Sequence, residues 1–254
     1  MEDFNNVRVD ADSEAIKQLL AERDVLVESI EPSPIHKAPD LAVIICGQRV
    51  LIEVESKNDD KQLRNLLCQE KGATLSYRGG RVEDRIRVAW RQLRDFPSRQ
   101  DSDNTLIWFL AYKGVAALLT GQAARALLYG IEHLEGYTLN GEFYSKPCYF
   151  MYNSLFFREK HLDAVVIHSL RSLELCLNPF SPRYKTFRGS PFVEALQGLM
   201  QPVDPIQAER ESRAFVVDCA IDRRDINTVV RFVRSKYRLD RPTIYRFELV
   251  NYPV

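Results

Sequence analysis

The chain has 254 residues, enough for one large domain or two modest ones with a proper core. Lysine plus arginine and aspartate plus glutamate both number 35, so no global basic field announces a nucleic-acid partner, and any such binding must rest on a local patch. Five scattered cysteines (46, 68, 148, 176 and 219) without a CxxC pair exclude the usual disulfide frame or zinc site and point to a reducing cytoplasm, and no apolar run approaches the ~18 residues of a membrane span.

In chain order, "DADSEAIKQLLAERD" predicts a first helix, capped by Asp12 or Ser13, with Ile16, Leu19 and Leu20 on its apolar stripe. "VLVESI" is a short candidate strand, stopped by a segment with three prolines. "LAVIICGQRVLIEVES" follows as a hairpin, then "DDKQLRNLLCQEKG" as a helix and "TLSYRGGR" as a loop. "VEDRIRVAWRQLRDF" predicts an amphipathic helix burying Val82, Ile86, Ala89, Trp90 and Leu93. "TLIWFLAY" is the continuous apolar run expected of a strand covered on both faces. "VAALLTGQAARALLYGIEHL" reads as one helix with Gly121 its weak point.

Beyond residue 130 the pattern changes. Asn140-Gly141 marks a hairpin, "CYFMYNSLFF" and "LDAVVIHSL" look like strands, and "LNPFSPRYKTFRGSP" reads as a long proline-rich loop. "AFVVDCAI" and "TIYRFELV" flank a helix with Ile226, Val229, Val230, Val233 and Tyr237 on one face. The expected organisation is a core over residues 1–129, followed by residues 130–254 as an added lobe or an extension of the same sheet.

The hairpin concentrates the chemistry. With Gly47-Gln48 as a two-residue type II′ turn, Cys46 faces Arg49 and Asp40 lies opposite Glu55. Strand alternation puts Glu53, Glu55 and Lys57 on one face and Val50, Ile52 and Val54 on the other. Opposed carboxylates repel unless something positive lies between them, and a divalent ion relieves this better than one lysine. Such an ion polarises a phosphodiester and activates water.

Pro39-Asp40, a gap of fourteen residues, then Glu55-Ser56-Lys57 resembles the signature of the PD-(D/E)XK nuclease superfamily. The predicted order of helix, three antiparallel strands, helix and strand is also similar to that family's core. The resemblance covers roughly the first 125 residues. It implies a restriction-endonuclease-like mixed α/β sheet flanked by helices, here with a C-terminal α+β extension, and a Mg²⁺-dependent nuclease with Mn²⁺ as an alternative ion. Asp40 and Glu55 would hold the metal, Lys57 would be the lysine of the motif, and Glu53 would be a second acidic neighbour in the catalytic set. In the other register Glu53 comes first and Glu55 stands where lysine belongs. The implied substrate is DNA before RNA, with no membrane association and a homodimer left open. The alternative is an inactive module of the same fold that binds nucleic acid or a protein.

Arg87, Arg91 and Arg94 fall at i, i+4 and i+7 and could meet backbone phosphates, with Gln92 nearby. Their bland reading is a solvated face laced by Glu83–Arg87 and Arg91–Asp95 pairs. Arg183, Lys185 and Arg188 interleave with Tyr184 and Phe187 in the proline-rich loop, a pattern that suits phosphates and bases as well as an ordinary surface loop. The four histidines make no metal-spaced pair, and His168 after "DAVVI" reads as structural.

Overall fold

The computed structural model describes residues 4–30, 37–56, 74–75, 80–112, 117–245 and 250–251. Among these, the first strands are β1 (Val27–Ser29), β2 (Leu41–Ile45), β3 (Gln48–Ser56), β4 (Thr74–Leu75) and β5 (Asn104–Leu110). Next come β6 (Glu132–Tyr137), β7 (Phe143–Tyr149), β8 (Ala164–His168) and β9 (Leu173–Leu177). The last are β10 (Gln201–Val203), β11 (Phe215–Val216), β12 (Thr243–Tyr245) and β13 (Val250–Asn251).

The architecture is α/β, built on a seven-stranded mixed sheet in the order β1-β2-β3-β5-β8-β9-β10. β1, β2 and β3 form an antiparallel meander. The helix Gly80–Arg94 then allows β5 to return parallel to β3, as a crossover must, and β8 lies parallel to β5. Strands from beyond residue 130 therefore extend this sheet, while β11-β7-β6-β12 form a second sheet of four. Among the described residues, no helix is long and apolar enough to cross a membrane.

Every residue of β5 is buried, as the apolar run Leu106–Leu110 requires, and polar Thr105 is accommodated by its N–H donating to Asp163 Oδ2 at 2.8 Å. Leu106, Trp108 and Leu110 point into one layer with Ile16 and Leu20 of the first helix. Ile107 and Phe109 point into the other, under Val82, Ile86, Ala89 and Leu93 of the Gly80–Arg94 helix. The predicted spacing of that helix is thus its packing face, and truncating a side chain as enclosed as Trp108 would cost about 3–5 kcal/mol.

Several expectations are corrected. The first helix spans Phe4–Ala21, so Asp12 and Ser13 lie inside it instead of capping it. The helix predicted through residue 134 is Ala117–Tyr129: it passes Gly121 without a break and stops before Gly130. Gly130 has φ +54, and a Cβ there would sit 2.7 Å from the Tyr152 carbonyl oxygen, so both backbone twist and crowding exclude a side chain. The segment read as a strand from Cys148 breaks after Tyr149 and becomes the short helix Leu155–Arg158, because the Ser154 hydroxyl caps the Phe157 N–H at 3.1 Å. The proline-rich loop contains two short helices, Tyr184–Arg188 and Pro191–Ala195. Thr74–Leu75, expected in a loop, pairs with β13. The helix predicted over residues 59–72 lies outside the described residues.

A buried carboxylate cluster as candidate metal centre

The hairpin turns one position earlier than expected. Cys46 (φ 49) and Gly47 (φ 75) both occupy the left-handed region, the requirement of a type I′ turn, whose twist suits flanking strands. Glycine serves at the second central position of that turn, so Ile45 pairs with Gln48 and Leu41 with Ile52. One step further, this register sets Asp40 beside Glu53. The predicted pairing of Asp40 with Glu55 is corrected accordingly, and with it the preference for Glu55-x-Lys57 as the motif register. Lys57 lies outside the described residues.

The error is two residues, an even number, so the faces survive. Val50, Ile52 and Val54 join the core on the first helix's side, and Glu53 and Glu55 project toward the Gly80–Arg94 helix. That second face is also covered. Glu53 neighbours Ile107 and Glu55 neighbours Phe109 across the parallel β3–β5 pairing, and both apolar side chains are fully buried. Glu53 itself is only 4% exposed.

Each carboxylate has a donor. The Val54 N–H donates to Asp40 Oδ2 at 2.8 Å. Gln92 Nε2 donates to Glu53 Oε1, and Arg85 Nη1 approaches Glu55 Oε1 at 3.1 Å. Glu53 Oε2 is buried and accepts no hydrogen bond, a costly omission for an acceptor out of water. Burial, followed by the charges of Asp40 and Glu55, pushes the Glu53 carboxyl up to about 9. Burial also raises Asp40, against the Val54 N–H and the Lys37 charge, and it raises Glu55, against Arg85. Three acids thus crowd a dry face with too little positive charge to ionise together.

A divalent ion fits that deficit. Mg²⁺ takes one or two carboxylates and fills its other positions with water and phosphate oxygens, and the Asp40–Glu53 pair with its unpaired Oε2 is a donor set of this chemistry. Among the described residues, no group of three or more His, Cys, Asp or Glu side chains could hold a metal by itself. The cluster also sits toward the carboxyl ends of parallel β3 and β5, where open α/β sheets bind ligands.

The predicted arginines are placed elsewhere. On a helix of 3.6 residues per turn, Arg85 and Gln92 lie within about 20° of each other, while Arg87 and Arg94 sit roughly half a turn away and Arg91 about a third of a turn. Arg87 and Arg158 both pair with Glu83, Arg94 with Asp95, and Arg91 Nε donates to the Arg87 carbonyl at 3.3 Å. The Glu83–Arg87 pair is the solvated lacing expected of that face. Arg183 does not reach out of its loop: Nη2 pairs with the fully buried Asp163 at 3.0 Å and donates to the His161 carbonyl. His168 accepts from Trp108 Nε1 at 3.4 Å and packs edge-on to Tyr112, as a structural residue does.

Sequence reasoning missed Arg85 and Lys37 as neighbours of the acids. Arg85 is seven residues before Gln92, a helical repeat that could have linked the two. No protein-family model, no curated protein and no solved structure matches this chain.

Proposed function

We propose that the chain is a metal-dependent nuclease of restriction-endonuclease-like fold that hydrolyses phosphodiester bonds, in DNA before RNA. The observation that carries this reading is the gathering of Asp40, Glu53 and Glu55 on one covered face of the hairpin, beside an unpaired carboxylate oxygen. The meander, crossover helix and parallel strand around it follow the order expected of that fold. In this reading Asp40 and Glu53 hold Mg²⁺ or Mn²⁺, which when bound polarises the phosphodiester and lowers the pKa of a bound water. Glu55 occupies the lysine position of the motif, two residues after Glu53, and a carboxylate there accepts the proton of the attacking water. Arg85 holds Glu55 Oε1 and balances its charge, and Gln92 orients Glu53. In this register Lys57 falls two residues past the motif, and a part for it in catalysis rests on sequence alone.

A second reading has its own support. Val54 N–H, Gln92 and Arg85 already give every carboxylate a partner, which suits a closed cluster in a module that binds nucleic acid or a protein without cutting. Calorimetric titration with Mn²⁺, alongside cleavage of plasmid and oligonucleotide DNA, separates the two. The nuclease binds Mn²⁺ and cleaves, and both are lost in Asp40→Asn and Glu53→Gln. Cleavage at the wild-type rate in both variants would end the proposal, and DNA binding with no metal heat and no cleavage would establish the module.

A further inference from the structure

A cavity of about 490 Å³ opens at the far edge of the seven-stranded sheet, between β9–β10 and the helices Tyr184–Arg188, Pro191–Ala195 and Pro205–Arg210. β10 stands four strands from β3, ~19 Å at the usual strand spacing, so this space is separate from the carboxylate cluster. β10 has three residues and contains Pro202, and the helices beside it have five or six residues each, too few to close over the sheet edge.

The walls divide by chemistry. Leu175, Val193 and Met200 supply an apolar side. Around it stand four cationic side chains, Arg125, Lys185, Arg188 and Arg213, against two carboxylates, Glu174 and Asp204. Both acids are already engaged. Arg125 grips Glu174 with two nitrogens, Nε at 3.0 Å from Oε2. Asp204 faces Arg188 Nε at 2.7 Å, takes the Tyr184 hydroxyl at 2.7 Å and caps the Ile206 and Gln207 N–H groups. Lys185 Nζ has no hydrogen bond or ion pair among the described residues. Arg213 lines the cavity and pairs with the exposed Glu211, which does not. The lining therefore holds an excess of two positive charges over an apolar floor.

We propose that this cavity binds a small organic phosphate, a phosphomonoester with an apolar or aromatic body of nucleotide size. A phosphomonoester carries close to two negative charges at neutral pH, which matches the excess, and arginine and lysine donors are the groups that recognise it. The apolar wall takes the body, so charge alone is not the whole of the recognition.

The test uses the full chain and three probes: adenosine 5′-monophosphate, phenyl phosphate and inorganic phosphate, each titrated while protein amide resonances are followed. At least one organic phosphate should bind, more tightly than inorganic phosphate, shifting residues along β9 and β10. Lys185→Ala and Arg213→Ala should each weaken it about tenfold or more, the loss expected for one charge-assisted contact. Both side chains are exposed and neither holds a buried partner, so the fold should persist. Arg224→Ala, at an exposed arginine that pairs with Asp222 and does not line the cavity, should leave binding unchanged. Absence of binding by both organic phosphates at 100-fold excess over protein would overturn the proposal. So would equal affinity for inorganic phosphate, or binding undiminished in both cavity variants. Asp40→Asn should not alter the affinity, so the result stands or falls apart from nuclease activity.

Discussion

Replacing Glu53 by glutamine should make the metal-free protein more stable at neutral pH and flatten its response to pH. The folded acid keeps its proton up to about 9, because the site is dry and two other carboxylates adjoin it, whereas the unfolded chain ionises Glu53 near 4.5. Between those values the folded state holds more protons than the unfolded one. The stabilisation tied to this group is thus complete below pH 4.5 and disappears as pH rises toward 9. Each pH unit in that window removes about 1.4 kcal/mol, so about 3 kcal/mol has gone by pH 7. Glutamine has the same shape, cannot ionise and can still accept from Gln92, so the variant keeps what the wild type loses. Urea unfolding followed by circular dichroism, at pH 5, 6, 7 and 8 with a chelator present, measures the gap directly. The two proteins should nearly coincide at pH 5 and separate progressively up to pH 8. Parallel profiles would refute the buried, proton-holding Glu53 on which the metal reading leans.

Further outcomes follow from other parts of the molecule. Arg183→Ala strips the cation from the fully buried Asp163 and should cost about 3–5 kcal/mol in chemical denaturation, since the carboxylate is left uncompensated. Gly130→Ala places a methyl group against the Tyr152 carbonyl in a left-handed backbone and should lower stability by about 2 kcal/mol or more, read as a fall in melting temperature of about 4 °C or more. Alanine at Arg87, Arg91 and Arg94 together should change stability by no more than about 1 kcal/mol, because their pairs are exposed. If the same arginines meet phosphates, DNA affinity in the triple variant should show a salt dependence shallower by about 0.9 per lost contact, and an unchanged slope removes them from the interface.

How much of this was legible depends on which physical signal was strong. The Gly80–Arg94 helix repeats its apolar residues at the helical period, and β5 is apolar without interruption from Leu106 to Leu110, so both were readable and their faces with them. Asn140-Gly141 forecast the β6–β7 turn but not its length: the two-residue hairpin it signals is a three-residue loop, closed by the Thr138 N–H donating to the Glu142 carbonyl at 2.8 Å, with Gly141 at φ +84. The end of the helix at Tyr129 was not readable, since its cause is the Tyr152 backbone pressing on Gly130 from elsewhere in the chain. Arg183 looked free in sequence because the acid it serves, Asp163, is twenty residues earlier and reaches it only in the folded protein.

The hairpin is the instructive case. Side chains alternate with period two, so any even slip in register preserves which residues share a face while changing which of them meet. Sequence could therefore establish that Asp40, Glu53 and Glu55 lie on one side, and it could not choose Asp40's neighbour without knowing whether Gly47 takes the first or the second turn position. That choice depends on Cys46 accepting a left-handed conformation, which few non-glycine residues do. Its consequence is chemical. With Glu53 beside Asp40, the next side chain on that face is another acid, Glu55, and the compensating charges come from Arg85 on the covering helix and from Lys37 ahead of the strand. Docking of the covering helix buries these acids and at the same time brings Arg85 to Glu55, so carboxyls that ionise freely in the unfolded chain hold their protons more tightly in the folded one, and the proton affinity of the cluster is a property of the assembled fold and not of the hairpin alone.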